Sequence, residues 1–145
     1  MIKFLKILII GVFLTACNRQ IPEQQVKYLE GYWEIKRVEI PPDSVVEYKF
    51  NENVDYFELG DNKGFRKKVR PQLDGSFLVT ENSEEIETRI EDGELYIYYT
   101  TPFDSWKERV IYAEENQIKL ENESGYIYHY DRYSPIIKDS YEEEQ

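Results

Sequence analysis

The sequence has few of the residues that form disulfides and metal sites. Its 145 residues include one cysteine, one histidine and one methionine. A single cysteine excludes an internal disulfide and any zinc site built from several thiolates. Lys and Arg number 18 against 29 Asp and Glu, a formal charge of −11. Because the phosphates of nucleic acids repel so acidic a chain, nucleic acid is not expected as a partner.

Aromatic residues, in contrast, are abundant. The chain contains 13 Tyr, 7 Phe and 2 Trp, and 41% of its residues are hydrophobic. This composition is too apolar for a disordered chain, in spite of the charge. A chain of this length supports one domain, which buries roughly 70% of the surface of the unfolded chain.

The cysteine follows a segment with the features of an export signal. Two lysines precede the apolar run Ile7–Leu14, which is too short to span a bilayer stably. Residues 1–16 are therefore predicted to be a cleaved signal peptide. The tetrad Leu14-Thr15-Ala16-Cys17 resembles the lipobox of bacterial lipoproteins. That resemblance implies a lipid on Cys17, and the alternative is a secreted protein with an incidental thiol.

Lipidation at Cys17 predicts an address in the cell. Each buried methylene of an acyl chain contributes about 0.8 kcal/mol, so several chains hold a protein on a membrane almost permanently. We expect anchoring to the inner or outer membrane of a Gram-negative envelope, facing the periplasm. Residues 17–27 are predicted to form the lipidated cysteine and a flexible tether, and residues 134–145 an acidic disordered tail.

Residues 28–133 have the pattern of β-strands. Short alternating segments are separated by turn clusters, among which Asp74-Gly75 and Asp92-Gly93 are the sharpest hairpin signals. Ser76–Glu81 and Glu85–Glu91 are predicted as two separate strands, and no convincing helical period follows the signal. The spacing gives about 8–10 short strands, as in a sandwich or barrel.

The connections between these strands are short, which favours an up-and-down meander. A meander of eight or more strands has two open edges, and closing it into a barrel removes them. The sequence therefore predicts an all-β fold, a single up-and-down meander β-barrel over residues 28–133.

Three segments resemble a known superfamily. Leu29-Glu30-Gly31-Tyr32-Trp33 resembles the G-x-W opening of the lipocalin/calycin superfamily. Tyr48-x-Phe50-Asn51 is similar to its second strand and turn, and Tyr128-x-Tyr130-x-Arg132 to the last strand of small bacterial lipocalin-like lipoproteins. The resemblance implies that Trp33 packs at the closed end of the barrel against Arg132, as a structural pair.

Four tyrosines admit two interpretations. As strand residues they bury their rings while their hydroxyls stay in water. As a binding surface they line a cavity or stack on a sugar or another flat ligand. These candidates are Tyr96, Tyr98, Tyr112 and Tyr128.

A basic segment also admits two interpretations. Four cations fall within five residues, namely Arg66, Lys67, Lys68 and Arg70. One hypothesis is a basic patch that touches anionic lipid or glycan near the membrane. The alternative is a set of cross-strand ion pairs with the acidic run of residues 81–92.

No residue pattern predicts catalysis. His129 is the only imidazole and has no evident metal-binding or nucleophilic partner. We therefore expect no enzyme activity, no cofactor and no metal site. The tripeptide Asp43-Ser44-Val45 resembles a short bacterial O-glycosylation signal.

These observations favour non-catalytic binding of a small apolar or amphipathic molecule inside the barrel. The alternative is a structural module of the envelope, with a filled barrel that docks to another protein. A hydrolytic or isomerising barrel enzyme is a third and weaker hypothesis.

Overall fold

The computed structural model describes residues 19–135, which form one short helix and nine strands. In chain order these are α1 (Pro22–Leu29), β1 (Gly31–Ile40), β2 (Ser44–Glu47), β3 (Val54–Gly60), β4 (Lys63–Pro71), β5 (Phe77–Glu91), β6 (Glu94–Thr100), β7 (Ser105–Ala113), β8 (Gln117–Asn122) and β9 (Ile127–Arg132).

The strands form a closed antiparallel barrel. From β3 to β9 each strand pairs with the next along the chain, and β9 returns to pair with β1. The first residues of β1 pair with β3, while Arg37–Ile40 pair with β2. Because β2 and β3 share one position beside β1, the barrel has eight positions. The predicted all-β meander barrel is confirmed.

Alternating side chains fill the interior. On β6, Leu95, Ile97 and Tyr99 are at most 1% exposed, so the residues between them face outward. The buried cluster comprises Leu29, Trp33, Phe57, Ile86, Leu95, Ile97, Tyr99, Val110, Ala113, Ile118, Leu120 and Tyr130.

Helix α1 lies across one end of the barrel and corrects the sequence-based prediction. Residues 22–27 belong to α1, so the predicted flexible tether is wrong there. Pro22 suits the first helical turn, and Leu29 is fully buried against the barrel. A helix of eight residues is stabilised by such packing rather than by its own propensity. Within residues 19–135, no helix has the length and apolar character needed to cross a membrane.

The predictions for the two ends of the chain concern residues that the structure does not describe. Residues 1–18, with the signal peptide and Cys17, lie outside the described residues, as do residues 136–145 of the predicted tail.

Strand β5 is longer than predicted and pairs irregularly with β4. It runs without a break through both segments predicted as separate strands. Its pairing with β4 jumps from Lys67–Ser83 to Val69–Val79, which leaves three residues of β5 without a β4 partner. Such an irregularity bends a strand. We call residues 69–79 the arm. The arm reaches the outer face of β1, where the Phe77 ring stacks on the Tyr32 ring with centroids 4.4 Å apart.

Candidate functional site

The closed end of the barrel holds the predicted tryptophan–arginine pair. Trp33 is fully buried, and Cζ of Arg132 lies 4.2 Å from the centroid of its ring. The Arg132 guanidinium donates hydrogen bonds to the carbonyl oxygens of Tyr28, Glu30 and Glu115. Trp33 Nε1 donates to the Leu29 carbonyl at 2.8 Å. The pair thus fastens the end of α1 to the barrel and has a structural role.

The middle of the barrel holds an arginine. Arg66 of β4 pairs across the sheet with the buried Phe57, so its side chain points inward. Its Nε donates to Glu84 Oε2 at 2.7 Å, and its Nη1 lies 3.9 Å from Glu108 Oε2. Its Cζ lies 4.4 Å from the centroid of the Tyr99 ring. Only 15% of the Arg66 side chain is exposed.

Two polar atoms beside this arginine have no hydrogen-bond partner. They are Oε2 of Glu108 and the hydroxyl of Tyr99, and both are fully buried. Burial raises the pKa of Glu108, against the opposing influence of the neighbouring Tyr99 hydroxyl and of the positive charge on Arg66. The Tyr99 hydroxyl and the Glu108 carboxyl are therefore neighbours, although they form no hydrogen bond of good geometry. We call Arg66, Glu84, Tyr99 and Glu108 the interior charged cluster. It is the candidate functional site, because buried polar groups in folded proteins normally have partners.

The basic segment does not form one surface, and the predicted basic patch is wrong. Arg66 is inside the barrel, and Lys68 Nζ is 2.9 Å from the buried carboxylate of Asp55. Their neighbours point elsewhere: Lys67 lies over the Phe65 ring, and Arg70 binds Glu52 at 2.8 Å. Alternation along β4 turns Lys67 away from Arg66 and Lys68, and Arg70 lies beyond the irregular pairing that follows Lys67. The alternative prediction of a cross-strand ion pair describes Arg66 and Glu84 correctly.

Three of the four candidate tyrosines point away from the interior, so the prediction that they line a barrel cavity is wrong. Tyr96 and Tyr98 alternate with the buried residues of β6. A cation lies over each of the three outward rings. Lys107 Nζ is 4.7 Å from the centroid of the Tyr96 ring, and Arg89 Cζ is 4.2 Å from that of Tyr98. Lys119 Nζ is 5.6 Å from the centroid of the Tyr112 ring. Tyr128 alone packs against the buried core.

His129 lies on the outer side of the seam between β1 and β9. Its Nε2 is 2.7 Å from Glu39 Oε1, and Arg37 Nη2 donates to the same oxygen at 2.6 Å. The hydrogen bond from His129 is the main cause that lowers the pKa of Glu39. No group of three metal-ligating side chains occurs within residues 19–135. The histidine therefore joins two strands at the seam.

The sequence identifies the family of this barrel. Residues 29–134 match the family model described as a lipocalin-like domain. The chain belongs to the lipocalin-like domain family. The match covers all nine strands of the lipocalin-like barrel, and no curated protein matches the sequence.

Two crystal structures are similar to this lipocalin-like chain. One is a lipocalin-like protein from Bacteroides uniformis, and the other an uncharacterized protein from Bacteroides eggerthii. Each has 13% sequence identity and a TM-score of 0.48, and each alignment covers 72% of this chain and 98% of the other.

Sequence reasoning missed most of the interior charged cluster of the lipocalin-like barrel. Glu108 shares its side of β7 with Trp106 and Val110, and that parity is the signal that predicts an inward carboxylate. Glu84 belongs to the acidic run of residues 81–92, and the sequence does not single it out from the other carboxylates there. Glu84 is the direct partner of Arg66 in the pairing of β4 with β5, and this register turns both side chains inward.

Proposed function

We propose that this lipocalin-like protein binds a small amphipathic molecule, without catalysis, through the interior of its barrel. The observation that carries the proposal is the pair of buried, unpartnered polar atoms, Glu108 Oε2 and the Tyr99 hydroxyl. A buried polar atom without a partner costs about 1–3 kcal/mol. A barrel with a purely structural interior would be better stabilised by apolar residues at these positions.

The surroundings of the two atoms favour an amphipathic ligand. The indole of Trp106 stacks on the Tyr99 ring, with centroids 5.2 Å apart and planes 9° from parallel. Tyr128 packs at the same core. These aromatic rings offer an apolar wall, while Glu108 and Tyr99 offer a carboxyl group and a hydroxyl. A molecule with an apolar body and one polar end satisfies both.

The proposal includes the location of the protein. A lipid on Cys17 would hold the barrel at a membrane of the envelope, facing the periplasm, where amphipathic molecules are concentrated. The lipobox-like tetrad before Cys17 supports this part. We propose no cofactor, no metal and no nucleic-acid partner.

Native mass spectrometry of the protein purified from its own membranes tests the ligand. Glu108→Gln keeps the shape of the side chain and removes its charge. We expect a co-purifying small molecule in the wild type and its loss in Glu108→Gln. The control is Glu121→Gln, whose carboxylate binds Arg109 on the outer wall at 2.5 Å. A wild-type protein without any bound molecule would contradict the proposal.

A filled barrel that acts as an interaction module is the second candidate. One support is the buried apolar cluster in the interior, which includes Trp33 and Tyr130. The other is Phe103 in the β6–β7 loop, whose side chain is 97% exposed. In that case the envelope partner would bind the outside of the barrel, and Phe103→Ser would abolish the complex while Glu108→Gln would not.

A further inference from the structure

The interior charged cluster contains more carboxylates than cations. Its carboxylates belong to Glu84 and Glu108, and its cation is Arg66. Arg66 Nε donates to Glu84 Oε2 at 2.7 Å, whereas its Nη1 lies 3.9 Å from Glu108 Oε2. Arg66 therefore pairs closely with Glu84 and only loosely with Glu108. Because 8% of the Glu108 side chain is exposed, water does not supply the missing partner.

The other buried carboxylate of the barrel has a cation of its own. Asp55 is 2.9 Å from Lys68 Nζ, and 64% of the Lys68 side chain is exposed. Within residues 19–135, no lysine or arginine other than Arg66 forms an ion pair with Glu108. The interior of the barrel thus lacks one positive charge, and it lacks that charge at Glu108.

We propose that the molecule bound by the barrel carries a protonated amine as its polar end, which donates to Glu108 Oε2 and to the hydroxyl oxygen of Tyr99. This assignment rests on the proposed function and adds the class of ligand to it. Both atoms are fully buried and have no hydrogen-bond partner. An ammonium group carries N–H donors and one positive charge. It therefore gives each atom a partner and balances the second carboxylate of the cluster.

Other common polar ends fit these groups less well. A fatty-acid carboxylate would bring a third negative charge beside Glu84 and Glu108, and like charges repel strongly in the protein interior. An alcohol could donate one hydrogen bond but would leave the charge of Glu108 unbalanced. The raised pKa of Glu108 agrees with an amine, because burial already favours a proton, which is a positive charge, on that carboxyl.

The charge around the cluster also favours a cationic molecule. Glu84 is its most exposed member, with 28% of the side chain in contact with water. The run of residues 81–92 around Glu84 contains six acidic residues and one arginine, and the whole chain has a formal charge of −11. Such a field concentrates cations at the surface and repels anions. A cationic ligand is therefore attracted toward the exposed side of the cluster.

Isothermal titration calorimetry of the full chain in a non-ionic detergent tests the proposal with three probes that share an eight-carbon tail. The probes are octylamine, octan-1-ol and octanoate, measured near neutral pH, where the amine is protonated. We expect octylamine to bind about tenfold more tightly than either of the others. Glu108→Gln should weaken octylamine about tenfold and leave octan-1-ol unchanged. The control Glu121→Gln removes a carboxylate of the outer wall and should keep the wild-type order.

Tyr99→Phe provides a second variant, which removes only the hydroxyl and decides the question if Glu108→Gln does not fold. We expect it to weaken octylamine about fivefold, with octylamine still bound more tightly than octanoate. Octylamine affinity that is unchanged in the variants would overturn the proposal, because the amine would then bind elsewhere. Equal or tighter binding of octan-1-ol or octanoate to the wild type would overturn the amine and leave the proposed function in place. No binding of any probe would contradict both.

Discussion

The guanidinium of Arg132 lies flat over a fully buried indole, with its Cζ 4.2 Å from the centroid of the Trp33 ring. The two residues are also direct partners in the pairing of β1 with β9. They therefore connect the first and last strands at the seam where the barrel closes. Through the carbonyls of Tyr28 and Glu30, Arg132 ties helix α1 to the same seam.

This pair predicts strong thermodynamic coupling. Trp33→Ala should lower the free energy of unfolding by about 3–5 kcal/mol, and Arg132→Ala by about 1.5–3 kcal/mol through lost charged hydrogen bonds. In a double-mutant cycle measured by urea unfolding, we expect about 1 kcal/mol of coupling from the cation–π contact. Arg109→Ala, on the outer wall, should be additive with Trp33→Ala. Additive losses for Trp33 and Arg132 would contradict a direct interaction.

Gly31 adjoins the pair and should not tolerate a side chain. Its φ of +124° is one that L-residues rarely adopt, and a Cβ there would collide with the Arg132 guanidinium. Gly31→Ala should therefore cost about 1–3 kcal/mol of stability. Gly60→Ala is the matched control, because a Cβ at Gly60 meets nothing within 4 Å. Thermal unfolding should show a loss only for Gly31→Ala, and equal melting temperatures for the two variants would refute the steric argument.

The interior charged cluster predicts an asymmetry between its members. Arg66→Met leaves the carboxylates of Glu84 and Glu108 without their cation inside the barrel, and should cost about 3–5 kcal/mol. The double variant Arg66→Met/Glu84→Gln removes one uncompensated charge and should recover part of that loss. Arg89→Met is the control, since Arg89 binds Glu87 on the outer wall, and its effect should be small. Urea unfolding decides, and a double variant less stable than Arg66→Met would contradict the model.

The overall barrel was predictable, because it depends on local patterns. Turn signals such as Asp92-Gly93 mark hairpins, and short connections dictate a meander. The family motif placed Trp33 and Arg132. Helix α1 was missed because eight residues carry little periodic signal, and their helix depends on packing against the barrel.

The direction of the side chains was harder to predict. Consecutive residues of β4 point to opposite faces of the barrel wall, but the sequence does not show which face is the inner one, because cations occur on both. Arg66 therefore looked like part of a surface patch. The tyrosines of β6 were misassigned for another reason. Both faces of that strand carry large residues, and only the aliphatic side chains of Leu95 and Ile97 distinguish the inner one.

The single cysteine gives a prediction that needs no structure. If Cys17 is lipidated, cells grown with a radiolabelled fatty acid should yield labelled protein, and Cys17→Ser should carry no label. Asn18→Ser is the control, because it alters the adjacent residue and leaves the lipobox-like tetrad intact. Label that persists in Cys17→Ser, or a wild type without label, would refute lipidation at this position.

Glu108 predicts an unusual dependence of stability on pH. Burial raises its pKa in the folded protein above the ordinary value of 4.5, so the folded state holds the proton more tightly than the unfolded chain. The stabilisation from protonated Glu108 is complete below that ordinary value. It is lost as the pH rises through the folded pKa. Compared with Glu108→Gln, the wild type should therefore lose stability from pH 4.5 upward.

Urea unfolding of both proteins across that range measures the difference, and Glu94→Gln supplies a control of opposite sign. A hydrogen bond from Arg109 lowers the pKa of Glu94, so its contribution is present at higher pH and disappears as the pH falls. The wild type should thus gain stability over Glu94→Gln as the pH rises. If the wild type and Glu108→Gln ran parallel at every pH, the carboxyl of Glu108 would titrate as it does in water, and the buried site would have no electrostatic basis.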